Sequence, residues 1–481
     1  MNTVVGIDSS TQSCKVLVVD VETGEIQSSG TAPHPDGTSI DPRLWTEALT
    51  QAWNQSGAAE AGNLVGASVS AQQHGMVALD ANNEPVHDAL LWNDTRSAPE
   101  AAEMLADLGN RTWVDAVNVI PVASFTLSKL AWLARNRPEL AAKVERVVLP
   151  HDWLNHQLTG RFFTDRSDAS GTAYFSAVAN EYRPELLERY FGSVPELPPV
   201  IGSSDAGGNL LPQWSSGAGI VGAGTGDNAG AALGLGIVPG EVVISVGTSG
   251  TVFASAAEPV SDSSGAVAGF ADATGQHLPL LAMINSARVL TAAAGLLDVG
   301  LPRLSELAMA GAPDADGLTL LPYLDGERTP NLPDAHGTLT GLKRANMTPE
   351  NLARASVLGV LNSLADALDL LTAHGVPVQK VLLIGGGSKS RALQQAAAAM
   401  LRVPVEVPVA GEYVALGAAR QAAWAATGEF PQWTRKIDSS FEADAGGSGS
   451  SAGLHKSASS DDWALEVRAR YVAARQQVYG V

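Results

Sequence analysis

Two aspartates stand where a chain can do phosphate or proton-transfer chemistry. Asp8 ends an apolar run at residues 4–8 and precedes a small polar turn, Ser9-Ser10-Thr11-Gln12-Ser13. A carboxylate there can hold Mg2+, directly or through water, beside nucleotide phosphates, or it can simply cap the turn. Lys15, just beyond the turn, can meet a phosphate as a point charge or remain a solvated strand lysine. Asp227 lies in Gly222-Ala223-Gly224-Thr225-Gly226-Asp227-Asn228-Ala229-Gly230, directly before an Ala-rich run at 229–233 that reads as a helix. At a helix N-terminus it can accept the proton of a substrate hydroxyl, as an aspartate does in phosphoryl transfer, or it can serve as an N-cap.

Three further clusters carry polar groups at the ends of short apolar runs. Gln72-Gln73-His74-Gly75-Met76 follows a strand-like stretch at 64–70. A glutamine and a histidine at a strand end can bond several hydroxyls at once, as a sugar requires, although His74 is equally a candidate for a buried, satisfied histidine. Leu91-Trp92-Asn93-Asp94 adds an aromatic face and two polar groups, with Trp92 open to a core role as well. Gly385-Gly386-Gly387-Ser388 sits between a strand-like and a helix-like run, where it can let a flat ring or a phosphate approach, or can form an ordinary turn.

The sequence has no GxxxxGK(S/T) motif, so a Walker-type loop is not the nucleotide site. Phosphates can also be held by small-residue turns whose backbone N–H groups point into the bend. Two such turns are present. Residues 7–13 (IDSSTQS) align with 244–250 (ISVGTSG), placing Ile7 on Ile244, Thr11 on Thr248 and Ser13 on Gly250. A strand–turn–strand unit repeated at this distance implies two related domains, not a short-period solenoid.

The elements that must position these residues alternate in type. Strands are expected at 64–70, 220–224, 381–384 and 405–407. Helices are expected at 127–137, 152–158, 286–297, 415–426 and 462–479, with a long one from 349 to 374. Thr348-Pro349-Glu350 gives that long helix an N-cap followed by a proline at the first helical position. Alternation in both halves means an α/β fold. The Gly/Ser/Ala-rich stretch 443–460 reads as a flexible loop.

The chain has 481 residues, too many for one compact core, so two or more domains with a cleft between them are expected. Fifty acidic residues against 30 basic ones give a net charge of −20, which disfavours nucleic acid as a partner. Cys14 is the one cysteine, which excludes an intramolecular disulfide and a cysteine-rich zinc site. No basic residue precedes Lys15, so the N-terminus does not read as a secretory signal, and no uninterrupted apolar run reaches the length of a membrane span. The expected location is the cytoplasm, with no membrane partner.

In order, these motifs resemble the FGGY carbohydrate kinases over residues 4 to about 425. VGIDSSTQSCKV and ISVGTSGTV resemble the family's two phosphate hairpins, GTGDNAGAALGLG its block with the catalytic aspartate, and IGGGSKS its adenosine motif. FTLSKLAWL (125–133) resembles the first family signature, and LPHDWLNHQLTG the segment that follows it. QQHGM, LLWNDTRS and LPYLDGERTP (321–330) resemble segments of the xylulokinase branch. The resemblance implies two ribonuclease H-like (actin/hexokinase-like ATPase) domains with an intervening active-site cleft. Residues 1–238 would be the sugar-binding domain and 239–481 the nucleotide-binding domain. It implies Asp227 as the base, with Asp8 supporting the metal, through water, and the phosphates. Gln73, His74, Trp92, Asn93, Asp94, Asp227 and Asn228 would contact the sugar. Ser10, Thr11, Gln12, Lys15, Gly247, Thr248, Ser249, Gly385, Gly386, Gly387 and Ser390 would contact the nucleotide.

The implied substrates are ATP, with Mg2+, and D-xylulose, giving D-xylulose 5-phosphate in xylose metabolism, with the cleft closing on the sugar to exclude water. A kinase for ribulose, L-xylulose or another polyol is the alternative, and an actin-like ATP switch without a sugar acceptor is a remote one. A homodimer is left open. Gln73 stands where the branch has Met, which adds a hydrogen-bonding group at the sugar. Ser10 and Ser13 stand for hairpin glycines, and Leu358 replaces the acidic residue closing the second signature.

Overall fold

The computed structural model describes residues 2–215, 217, 219–443 and 462–481. The stretch expected to be a loop at 443–460 therefore lies, apart from Ala443, outside the described residues. The chain forms two compact α/β units. The first comprises Met1–Ile237, Ser255–Pro279 and Gly411–Arg435, and the second Val238–Ala254, Leu280–Ala410 and Lys436–Val481. The chain first leaves the first unit next to the expected boundary of 238/239, but two later stretches return to it.

The first unit is built on a sheet in which five strands follow the order Ile220–Gly222, Asn63–Ala71, Asn2–Ser9, Ser13–Asp20, Ile26–Pro33. Asn2–Ser9 runs parallel to Asn63–Ala71 and antiparallel to Ser13–Asp20. It is buried on both sides, so it reads as a nearly continuous apolar run. Val5 and Ile7 face a core with Trp45, Leu49 and Trp53, residues of the helix Pro42–Ser56. Asp41 caps that helix by accepting the Arg43 N–H.

Val4, Leu17 and Val19 face the opposite way, onto Ala415, Ala419, Ala422 and Ala423 of the helix Tyr413–Thr427. That contact explains why the helix belongs to the first unit. A Cβ on Gly6 would stand 1.9 Å from the Ala415 carbonyl oxygen, so only glycine on the strand and alanine on the helix permit the approach.

The second unit repeats the arrangement. Glu241–Val246 is antiparallel to Gly250–Ala254 and parallel to Lys380–Ile384. The turns match as well, residues 10–12 in one unit and 247–249 in the other, so the internal duplication read from the sequence exists as structure. The long helix is Pro349–Ala373, with Thr348 accepting the Asn351 N–H at its start. It is long and apolar enough to cross a membrane, but 78% of its most apolar window is buried, which makes it the core helix of this unit. The final helix, Asp462–Tyr479, is anchored there by a hydrogen bond of 2.7 Å between the buried hydroxyls of Tyr471 and Tyr323.

Candidate active site

Asp8 occupies the end of the strand Asn2–Ser9, opposite Lys15 on one neighbour and Ser70 on the other. Its carboxylate is buried, and the Ser10 hydroxyl donates to its Oδ1. Burial pushes its pKa up to about 7. The Ser10 hydrogen bond and the Lys15 charge pull it down, while Asp227 and Glu412 push it up further. The Asp227 charge acts on Asp8, so the two carboxylates lie near each other. Lys15 is already engaged, in an ion pair of 2.6 Å with Glu412. Gln12 is exposed in the turn, and its carbonyl accepts the His34 N–H at 2.8 Å.

Asp227 opens the helix Asp227–Leu235, directly after the short strand Thr225–Gly226. Its surroundings of protein raise its pKa to about 6, with the Asn228 hydrogen bonds opposing the rise. Both the backbone N–H and the side-chain amide of Asn228 donate to Asp227 Oδ1 at 2.8 Å. The same amide donates to Gln73 Oε1 at 3.5 Å, and Gln73 Nε2 donates to the Ser167 carbonyl at 3.3 Å. Asp227, Asn228 and Gln73 thus form one connected set.

His74 takes a left-handed backbone, φ 70°. Its carbonyl accepts from the buried ammonium of Lys129 at 2.9 Å and the Thr126 hydroxyl at 3.2 Å. Its Nδ1 lies 2.8 Å from the Gly171 carbonyl oxygen, an atom that can only accept, so Nδ1 carries the proton. Phe125 and Phe270 flank the ring, with centroids at 4.8 and 5.6 Å.

Trp92 is 42% exposed, which separates it from the core, and its indole N–H donates to the Thr11 hydroxyl at 2.8 Å. Asn93 has a buried Oδ1 with no protein partner. Asp94 is used differently: its oxygens accept from Thr38 at 2.7 Å and from Arg96 at 2.8 Å. Burial would raise its pKa, but these hydrogen bonds from Arg96 and Thr38 hold it below the usual value. Asp94 braces the segment that carries Trp92 and Asn93.

Three residues of this site are given no role of their own by the sequence, although Gln72 stands in the glutamine–histidine cluster. Gln72, whose backbone N–H donates to the Ser9 carbonyl, is buried with neither side-chain amide atom partnered. Lys129 lies within the first signature stretch, and Gln421 lies on the helix Tyr413–Thr427. A fully buried glutamine in an Ala-rich helix is a usable signal, because a buried amide must find partners. Gln421 finds them in Ser68 and Gly224.

In the second unit, Thr248 and Ser249 are exposed at the hairpin turn, and the Gly247 carbonyl accepts the Ala287 N–H at 2.9 Å. Gly385 has φ 88°, and a Cβ there would stand 2.8 Å from the Val246 carbonyl carbon and oxygen. A Cβ on Gly387 would meet the Val246 side chain at 2.3 Å, whereas Gly386 faces open space. Two of the three glycines thus exist to pack the turn against the end of the hairpin strand, and the middle one leaves room for a ligand. Ser390 caps the helix Arg391–Leu401, its hydroxyl accepting the Leu393 N–H.

Among the described residues no group of three or more His, Cys, Asp or Glu side chains could hold a metal ion. Mg2+ asks for less: it is commonly bound through one or two carboxylates together with substrate phosphates and water. Asp8 fits that pattern, because a cation beside it would offset both the burial and the Asp227 charge that raise its pKa.

Residues 3–234 match the profile of the FGGY family of carbohydrate kinases, N-terminal domain, and residues 242–426 match that of the C-terminal domain. The chain is 47% identical over 437 residues to a xylulose kinase of Streptomyces coelicolor, covering 89% of this chain and 88% of that one. It is 34% identical to a xylulose kinase of Escherichia coli, covering 88% and 90%. The crystal structure of xylulose kinase from Bifidobacterium adolescentis superposes with a TM-score of 0.89 at 42% identity, covering 98% of this chain and 99% of that one.

Proposed function

This chain belongs to the FGGY family of carbohydrate kinases, and we propose that it transfers the γ-phosphoryl group of ATP to the O5 hydroxyl of D-xylulose, giving D-xylulose 5-phosphate. The observation that carries the reading is the connected set Asp227–Asn228–Gln73, which joins a basic carboxylate to amides suited to sugar hydroxyls. The similarity to xylulose kinases over most of the chain selects the sugar.

An alcohol is a poor nucleophile until its proton has somewhere to go. Asp227, with a pKa near 6, is ionised at neutral pH yet basic enough to accept that proton as the bond to phosphorus forms. Gln73, His74 and Asn228 orient the ketose, and Trp92 and Asn93 border it. The exposed turn at Gly247, Thr248 and Ser249 offers backbone N–H groups to phosphates, and Gly386 leaves space for the adenosine. Ser10, Thr11 and Gln12 form the corresponding turn of the first unit, with Lys15 on the strand that follows it. Asp8 would hold Mg2+, and the ion would supply positive charge to the phosphate oxygens. Cytoplasmic placement follows from the use of ATP, and the net charge of −20 leaves nucleic acid outside its partners.

A second reading, a kinase for another pentulose, is favoured by one residue. Gln73 places an amide, bonded to both Ser167 and Asn228, where the xylulokinase branch has an apolar Met. A coupled ADP-release assay over D-xylulose, L-xylulose, D-ribulose, L-ribulose and glycerol decides between the two. The highest kcat/KM on D-xylulose supports the first reading, and a preference of tenfold or more for another acceptor overturns it.

A further inference from the structure

We propose that His151 is a positioning residue of this phosphoryl transfer, a buried imidazolium that pins the 223–226 turn and through it Asp227. The inference rests on the kinase reading above.

His151 lies in the helix Pro150–Thr159 and has no exposed surface. Its Nδ1 is 3.0 Å from Asp152 Oδ1 and 2.9 Å from Asp168 Oδ2. Its Nε2 is 3.2 Å from the Ala223 carbonyl oxygen and 3.8 Å from Asp165 Oδ1. A carbonyl oxygen only accepts hydrogen bonds, and so does an ionised carboxylate. Nε2 therefore carries a proton, and two carboxylates within ion-pair distance of Nδ1, neither aligned for a hydrogen bond with it, favour a second proton there. A neutral ring taking a proton from Asp168 would leave its Nδ1 lone pair facing Asp152 at 3.0 Å, a repulsive contact. Burial alone lowers the pKa of a histidine, but Asp152 and Asp168 together lift that of His151 well above its usual value. Burial also lifts Asp168, to about 7, with Tyr174 and the carboxylates of Asp152 and Asp165 around it. A buried charge persists only when it is paired, so the cluster holds its members in one arrangement.

The cluster grips the catalytic turn at two points. The His151 ring lies against Gly224, where a Cβ would stand 2.2 Å from its Cδ2, and Gly224 has φ 90°. Ser167, between Asp165 and Asp168, accepts the Gly226 N–H at its hydroxyl at 3.1 Å and the Gln73 amide at its carbonyl. Asp165 fixes Ser167 in turn, accepting its backbone N–H at 2.7 Å. Displacing this turn by about 1 Å is enough to cost on the order of 100-fold in rate.

The test pairs His151→Gln with Asp168→Asn, which removes one positive and one negative group of the cluster together. In the double variant kcat on D-xylulose is expected to fall at least tenfold while KM for ATP stays within twofold. A kcat within twofold of the parent overturns the proposal. A merely structural role predicts loss of folded protein instead, so the thermal unfolding profile is recorded alongside. Should the double variant not fold, the parent protein with 15N-labelled histidine decides. One of its nine imidazoles is expected to remain doubly protonated from pH 6 to 8.5, and none doing so above pH 8 overturns the proposal. If the parent phosphorylates no ketose, the kinase reading fails on its own, and the labelling experiment still decides the charge of the ring.

Discussion

Gln421 holds Gly224 by both polar groups of its backbone: its Oε1 accepts the Gly224 N–H at 2.9 Å, and its Nε2 donates to the Gly224 carbonyl at 3.0 Å. The same Oε1 accepts from the Ser68 hydroxyl at 2.7 Å. Gln421→Leu leaves three buried polar groups unpaired at a few kcal/mol in total. The first unit should then unfold at lower denaturant, and kcat should fall because the turn leading to Asp227 loosens. Denaturant unfolding followed by steady-state kinetics checks both effects, and a variant of parental stability excludes the contact as a support.

Asp227→Ala should lower kcat by at least about 100-fold, the low end for loss of a general base. The Michaelis constant for ATP should change little. Near-parental turnover would remove Asp227 from the chemistry.

The pH dependence has a definite sign. Asp227 must be ionised to accept a proton, so kcat/KM should rise through an acid limb near pH 6 and level off above it. A rate that falls as pH rises from 5 to 7 would contradict this assignment.

Asp8 makes an opposite prediction for stability. Its folded pKa of about 7 lies above its ordinary 3.8. The folded state therefore binds the proton more tightly than the unfolded chain does, and stability contributed by this group is lost as pH rises from about 4 to about 7. At pH 8, without nucleotide, Asp8→Asn should raise the unfolding temperature, by an amount on the order of 2–4 kcal/mol in free energy at most. It should at the same time lose most kinase activity. Thermal scans at pH 5 and pH 8 test the difference, which should shrink at the lower pH.

Gly385→Ala should raise KM for ATP at least about tenfold, because the added methyl meets the Val246 backbone and the φ of 88° disfavours alanine. KM for the ketose should stay within twofold, measured with the other substrate saturating.

The parts most legible in the sequence were those with local causes. The long helix announced itself through Thr348 and Pro349, and the duplicated hairpins through small residues between apolar runs. Asp8 and Asp227 stood out because each ends an element. Harder to read were contacts made by residues distant along the chain. Nothing near Lys129 shows that its ammonium reaches back to the His74 carbonyl, or that Glu412 takes Lys15. Nothing near Trp92 separates a core from a surface role, and the hydrogen bond to Thr11 that decides it comes from a residue about 80 positions earlier. The glycines at 385 and 387 read as ligand space but are required by Val246, a residue about 140 positions earlier.

The helix Tyr413–Thr427 closes one face of a sheet whose first strand begins at Asn2. A ribosome adding roughly 5–20 residues per second delivers that helix some 20–80 s after the first strands emerge. During that interval the groove around Gly6, bordered by Val4, Leu17 and Val19, has no cover. Truncated products ending before residue 413 cannot bury it, so the nascent chain is a natural client for chaperones, and the first 238 residues expressed alone should aggregate unless the missing helix is supplied in trans.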